Sequence, residues 1–202
     1  MFALLIHMRR LFLVLTISAA AYLPATHAAL IDFQAPTADA VVGETVEVDL
    51  VVSGLGNFAP ESLGAFDVSV NYDATVFGFA GYALGNLLGD LGLVEALDAS
   101  GGDTGTSVNI AEVSLLSIAD LHALQPDAFT LATLTFDVLD LAIGATSQLS
   151  LGDPLLAGAN GDVVPATSGG PTTFVGRAAV PSVGTALLFL GGLLSMRLAR
   201  RR

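Results

Sequence analysis

Leu63-Gly64-Ala65-Phe66-Asp67-Val68-Ser69-Val70-Asn71-Tyr72-Asp73 decides the fold class. From Phe66 the stretch alternates without a slip. Phe66, Val68, Val70 and Tyr72 fall on one parity, and Asp67, Ser69 and Asn71 on the other. Successive side chains of a strand point to opposite faces, so this pattern is a strand with one buried and one wet face. One-sided burial of that kind belongs to antiparallel sheets. Residues 45–52 repeat it, with Val46, Val48, Leu50 and Val52 inward and Glu47 and Asp49 outward. Gly43-Glu44 marks a turn before that strand. Gly54-Leu55-Gly56-Asn57 and Pro60 supply the connection between the two.

Working outward, residues 76–82, 91–98, 107–113, 129–139, 147–151 and 172–175 read as further strands, and period two begins at Ala29. Residues 85–90 and 158–170 read as loops, and 100–105 as a turn. Ser117 is placed to N-cap a short helix through Leu124, with Asp120 at the capping-box position and Pro126 as the stop. In 129–139, Phe129 and Leu131 lie on one parity, and Leu134, Phe136 and Val138 on the other. A β-bulge near Ala132 reconciles them. Many short strands, turn signals and one helix predict an all-β sandwich.

Composition narrows the chemistry. All nineteen acidic residues fall between Asp32 and Asp162, and Arg177 is the only base of the body. One arginine against nineteen acids gives the body a formal charge of −18. Such a surface repels nucleic acid and anionic headgroups, so nucleic-acid partners are excluded. There is no cysteine, hence no disulfide, thiolate site or thiol nucleophile. His122 is the one histidine of the body, and no Gly-x-Ser-x-Gly elbow accompanies it, so neither a serine triad nor zinc is expected. A glycoside hydrolase needs two carboxylates facing one another across a cleft. Glu47, Asp49 and Asp67 instead fit the wet faces of strands. Trp is absent, and Tyr72 and Tyr82 are the body's only tyrosines, which leaves few aromatic platforms for sugars. The acid-bearing loops Asp98-Ala99-Ser100-Gly101-Gly102-Asp103 and Asn160-Gly161-Asp162 are of a type that holds calcium. Neither has EF-hand spacing, and ordinary turn roles are favoured. No cofactor is expected, and no catalytic residue is assigned.

Both ends have the character of targeting segments. Arg9 and Arg10 precede an apolar run over residues 11–23, and Pro24 breaks it. Thr26-His27-Ala28 puts small residues at −3 and −1, which predicts a signal peptide over 1–28 cleaved between Ala28 and Ala29. Met8 offers an alternative start to Met1. At the other end, Val180-Pro181-Ser182 is followed by an apolar run over 183–196 and by Arg197, Arg200, Arg201 and Arg202. About 14 residues at ~1.5 Å each give a helix of ~21 Å, short of a hydrocarbon core of ~30 Å. Arg197 snorkelling, with Leu198 and Ala199 added, brings it closer to spanning. The arginine cluster holds the tail inside and leaves everything before it outside. The predicted division is signal peptide 1–28, sandwich 29–175, linker 176–179 and C-terminal segment 180–202.

Two resemblances follow from these residues. The tail, in its order of Val-Pro motif, transmembrane segment and terminal arginines, resembles the PEP-CTERM sorting signal of Gram-negative envelope proteins. Val180 and Pro181 match the family motif, while Ser182 and Val183 stand where it has Glu and a second Pro. This resemblance implies processing by an exosortase, a membrane protease-transpeptidase, with a plain C-terminal anchor as the alternative. The body is similar to the cohesin domain. Gly43-Glu44-Thr45-Val46, residues 63–73 and Phe129-Thr130-Leu131-Ala132-Thr133-Leu134-Thr135-Phe136 match in order. That resemblance implies a nine-stranded jelly-roll sandwich that holds a partner rather than catalyses. Cohesins of cellulose-degrading assemblies bind calcium-carrying dockerins. Binding surfaces vary within a fold, so that partner is not carried over. The expected product is an exported envelope or extracellular interaction protein, not an enzyme, with an unidentified protein or polysaccharide partner. The alternative is a carbohydrate-binding module of the exopolysaccharide matrix.

Overall fold

The computed structural model describes residues 28–58 and 62–179. Among the described residues fourteen strands, β1 to β14, form two facing sheets, accompanied by one α-helix. The first has the order β13-β1-β3-β9-β5. Its members are β1 (Ala29–Gln34), β3 (Thr45–Ser53), β5 (Phe77–Leu84), β9 (Phe129–Val138) and β13 (Ala166–Ser168). The second contains nine strands in the path β12-β11-β4-β10-β14-β2, with β8 also on β4, and β6 and β7 on β8. These are β2 (Asp39–Val41), β4 (Leu63–Asn71), β6 (Ala96–Asp98), β7 (Gly102–Asp103), β8 (Ser107–Ser114), β10 (Thr146–Leu151), β11 (Leu155–Gly158), β12 (Val163–Val164) and β14 (Thr172–Arg177).

The alternation read from the sequence is the alternation of burial. Val46, Val48, Leu50 and Val52 are buried on β3, and Phe66, Val68, Val70 and Tyr72 on and just after β4. Phe77, Phe136 and Phe174 are fully buried between the sheets. Phe77 lies edge-on to Phe136 at 6.1 Å and to Phe174 at 5.5 Å, and Tyr72 meets Phe136 at 5.3 Å. Edge-to-face pairs add about 0.5–1.5 kcal/mol each beyond their buried area. The expected bulge is present. Leu50 opposes Ala132 and Val51 opposes Thr130, so Leu131 is the extra residue, and both parities of β9 reach the core. Ser117 caps α1 (Ile118–Leu124), and its hydroxyl donates to Asp120 at 2.6 Å.

Several expectations change. Within the expected turn 100–105, Gly102–Asp103 forms β7 and pairs with β8. Residues 91–98 are not one strand. The Asp90 carboxylate accepts from Gly92 N–H at 2.7 Å and caps a 3-10 turn over Leu91–Leu93, Val94 sits at φ 60°, and only Ala96–Asp98 is extended. Residues 158–170 are not all loop, because β12 pairs with β11 and β13 runs parallel to β1 with Ala166 opposite Ala29. The last strand continues past Val175 to Arg177, carried by parallel pairing with β2. The signal-peptide segment up to His27, and Val180, Pro181, Ser182, Arg197, Arg200, Arg201 and Arg202, lie outside the described residues. Among the described residues no helix is long and apolar enough to cross a membrane.

Candidate functional site: the outer face of the second sheet

The two outer faces differ in chemistry. On the first sheet, Asp49 lies between Gln34 and Thr133, and Glu47 opposite Thr135. The Thr133 hydroxyl donates to Asp49. A depression of about 240 Å³ beside them is lined by Gln34, Ala35, Pro36, Glu47 and Asp49. Its two carboxylates sit two residues apart on one strand. The acid with a strongly raised pKa, Glu112, is on the other sheet. The pair of facing carboxylates that a glycosidase needs is not assembled there.

The second sheet carries apolar side chains outward. Leu97 opposes Val113, Val113 opposes Ala65, Ala65 opposes Ala157, and Ala157 opposes Val163. One cross-strand row thus runs over β6, β8, β4, β11 and β12 without a polar side chain. Leu97 is 49% exposed, Val113 40% and Val163 82%. In the next row Ala111 opposes Asp67, and Asp67 opposes Leu155, which is 66% exposed. Asn109 Nδ2 donates to Asp67 at 2.6 Å, and Gly101 N–H donates to Asn109 Oδ1 at 2.8 Å. A fixed carboxylate therefore borders an exposed apolar stripe. Contiguous exposed apolar surface with a polar rim marks interaction sites.

Other singled-out residues have local roles. Asp98 accepts from Ser100 N–H at 3.0 Å and from the Tyr82 hydroxyl at 2.7 Å. Burial pushes the Asp98 carboxyl up, but these bonds outweigh it and the net shift is downward. Asp103 accepts from Gly105 N–H at 2.9 Å and from the Tyr72 hydroxyl at 2.7 Å. Burial, and then that bond and the Asp103 charge, push the Tyr72 phenol up to about 12. Asn160 and Asp162 bond one another, as turn residues do. His122 is half-buried in the last turn of α1. Ala28 is exposed. Ala29 is buried at the start of β1, where its N–H donates to Pro165 O at 2.8 Å.

Two residues escaped sequence reasoning. Gln125 reads as a polar residue after a helix, yet it is buried and bonded to the ends of two distant segments. Glu112 is fully buried, and burial, then the charge of Asp98, push its carboxyl up to about 7. Its parity, shared with Val108 and Ile110, was the available signal.

No protein-family model matches the sequence, and no curated protein matches it. Solved structures do match. A type II cohesin domain from the cellulosome of Acetivibrio cellulolyticus superposes with a TM-score of 0.58 at 18% identity, over 73% of this chain and 95% of that one. The sixth cohesin of scaffoldin B from the same organism, solved in complex with a Cel5 dockerin mutant, gives 0.54 at 17% identity, over 76% and 99%. A cohesin module of a Clostridium perfringens family 33 glycoside hydrolase gives 0.57 at 14% identity, over 76% and 100%. The described residues fold as a cohesin-like jelly-roll sandwich.

Proposed function

We propose that this chain is an exported, non-enzymatic interaction protein whose cohesin-like sandwich binds a protein partner on the outer face of β6, β8, β4, β11 and β12. The observation that carries the reading is the apolar row from Leu97 to Val163 beside the fixed Asp67 carboxylate. The cohesin fold supports it, and one of the similar cohesins was solved in complex with a dockerin. With a body charge of −18, the complementary partner presents apolar side chains ringed by lysine or arginine. A polysaccharide is the weaker fit. Among the described aromatics Phe58 is the exposed one, and it stands alone in a loop; the others are buried or half-buried.

Export and anchoring complete the reading. Residues 1–28 act as a signal peptide, and the start of β1 at Ala29 supports cleavage between Ala28 and Ala29. Only Ala178 and Ala179 separate β14 from the tail, so the sandwich stands close to the membrane during sorting. Val180, Pro181 and Ser182 form the junction offered to an exosortase-type enzyme, and Arg197, Arg200, Arg201 and Arg202 are the membrane stop. The protein passes through the inner membrane and ends in the envelope or extracellular matrix.

Two experiments test this. A photo-crosslinking residue at Val113 or Leu155, expressed in the producing cells, should give one discrete protein adduct, while the same residue at Thr135 gives none. Equal labelling from both faces, or none from either, rejects the docking face. Intact-mass analysis should find a product beginning at Ala29 and ending near Val180. Neutral replacement of Arg200, Arg201 and Arg202 should block that processing. A membrane-bound product running to Arg202 would make the tail a permanent anchor.

A further inference from the structure

The inward row of the second sheet ends in acid. Phe66 on β4, Glu112 on β8 and Asp98 on β6 are cross-strand neighbours. Glu112 shares its parity with the buried Val108 and Ile110 and is itself 0% exposed. Neither of its carboxylate oxygens has a hydrogen-bond partner. An ionised carboxylate buried without a counter-charge is among the costliest groups a fold can hold. Protonation removes the charge but leaves the new O–H with no acceptor, so a proton answers only part of the problem.

The surroundings supply a second carboxylate. Asp98 is exposed, and the Tyr82 hydroxyl reaches it at 2.7 Å from β5, the edge strand of the opposite sheet. The Tyr82–Asp98 bond therefore bridges the open edge of the sandwich, with Glu112 on the inner side of it. Glu112, Asp98 and Tyr82 all present oxygen, the donor that suits a hard metal.

We propose that Glu112 and Asp98 are the two carboxylate ligands of a hard divalent cation, Ca²⁺ or Mg²⁺, bound at the edge between β5 and β6. Two negative charges match one divalent ion, and the ion gives Glu112 the partner it lacks. Among the described residues no group of three or more His, Asp or Glu forms a ligand set. The remaining positions are accordingly filled by neutral oxygens, the Tyr82 hydroxyl and water among them, as such ions accept. The site is separate from the docking face, because Glu112 points inward and its neighbour Val113 outward. It stands or falls without that reading.

The test uses Tb³⁺ as the probe on the full-length protein. With no Trp in the chain, excitation in the tyrosine band reports emission sensitised through tyrosine. Wild type should show saturable emission that excess Ca²⁺ or Mg²⁺ displaces, the better competitor identifying the preferred ion. Tyr82→Phe should dim it. Glu112→Gln and Asp98→Asn should each weaken binding at least tenfold, while Glu47→Gln on the other sheet leaves it unchanged. The same ion should raise the wild-type Tm and leave that of Glu112→Gln unmoved. Absence of saturable emission overturns the site. So does equal emission from wild type, Glu112→Gln and Asp98→Asn, which would mean diffuse attraction to an acidic surface. Asp98 is exposed, so Asp98→Asn keeps the test decisive if the buried replacement misfolds.

Discussion

The side-chain amide of Gln125 brackets Leu63: its Nε2 donates to the Leu63 carbonyl at 2.8 Å, and its Oε1 accepts from the Leu63 N–H at 2.6 Å. The same Nε2 donates to Leu87 O at 3.0 Å. Gln125 follows α1 in the chain, so one side chain ties the helix to the first residue of β4 and to the loop after β5. Replacing it with Leu strands three backbone groups, two of them in a buried setting. The expected cost is about 2–3 kcal/mol, read as a lower denaturant midpoint with unchanged slope.

Stability should fall as pH rises through the window set by Glu112. Its carboxyl goes from 4.5 when free to about 7 when folded, through burial and then the charge of Asp98. Between those values the folded state holds a proton that the unfolded chain has lost, so unfolding becomes easier with rising pH. The full excursion is up to about 3 kcal/mol. Denaturation curves across the window, without divalent cations, should show this slope in wild type and a flat line in Glu112→Gln. An equal slope in both would assign it to other groups.

The Tyr72 phenol should ionise late. Its titration, followed by phenolate absorbance, is expected near 12. Asp103→Asn removes the charge and weakens the acceptor, and should bring the transition back toward the ordinary tyrosine range. Burial remains, so the return should be partial.

Leu97→Ser and Leu155→Ser alter side chains that stand in solvent, so each should change stability by no more than about 0.5 kcal/mol. Both should reduce partner crosslinking from Val113. Loss of crosslinking together with loss of fold would mean that these residues support the sandwich instead of the contact.

Much of this fold was legible because its central strands are one-sided. β3 and β4 bury chiefly one parity, β9 does so on either side of its bulge, and burial of one face fixes register as well as existence. Even the bulge at Leu131 showed as a change of parity. The short strands β12 and β13 were illegible for a physical reason. Two or three residues of Val, Ala, Thr and Ser carry no period, and their extension comes from β11 and β1, which are remote or antiparallel partners found only by folding. Residues 91–98 misled in the opposite sense, since an apolar run concealed the local capping of Asp90. The apolar row on the outer face was invisible for the same reason as β12. Leu97, Ala65, Ala157 and Val163 come from separate segments, and only register lines them up. Glu112 was within reach, because its parity with Ile110 was plain and a charge on that parity demanded an account.

β14 is flanked by β10 on one edge and by β2 on the other. The chain leaves the sandwich through this strand at Arg177. If a partner on the proposed docking face is pulled while the tail is held, tension enters along the axis of β14. Its hydrogen bonds to both neighbours lie across that axis and would be loaded together in shear, not opened one after another as at a free edge. Under the proposed docking and anchoring, the way the last strand is sandwiched would let the domain carry mechanical load from partner to tail.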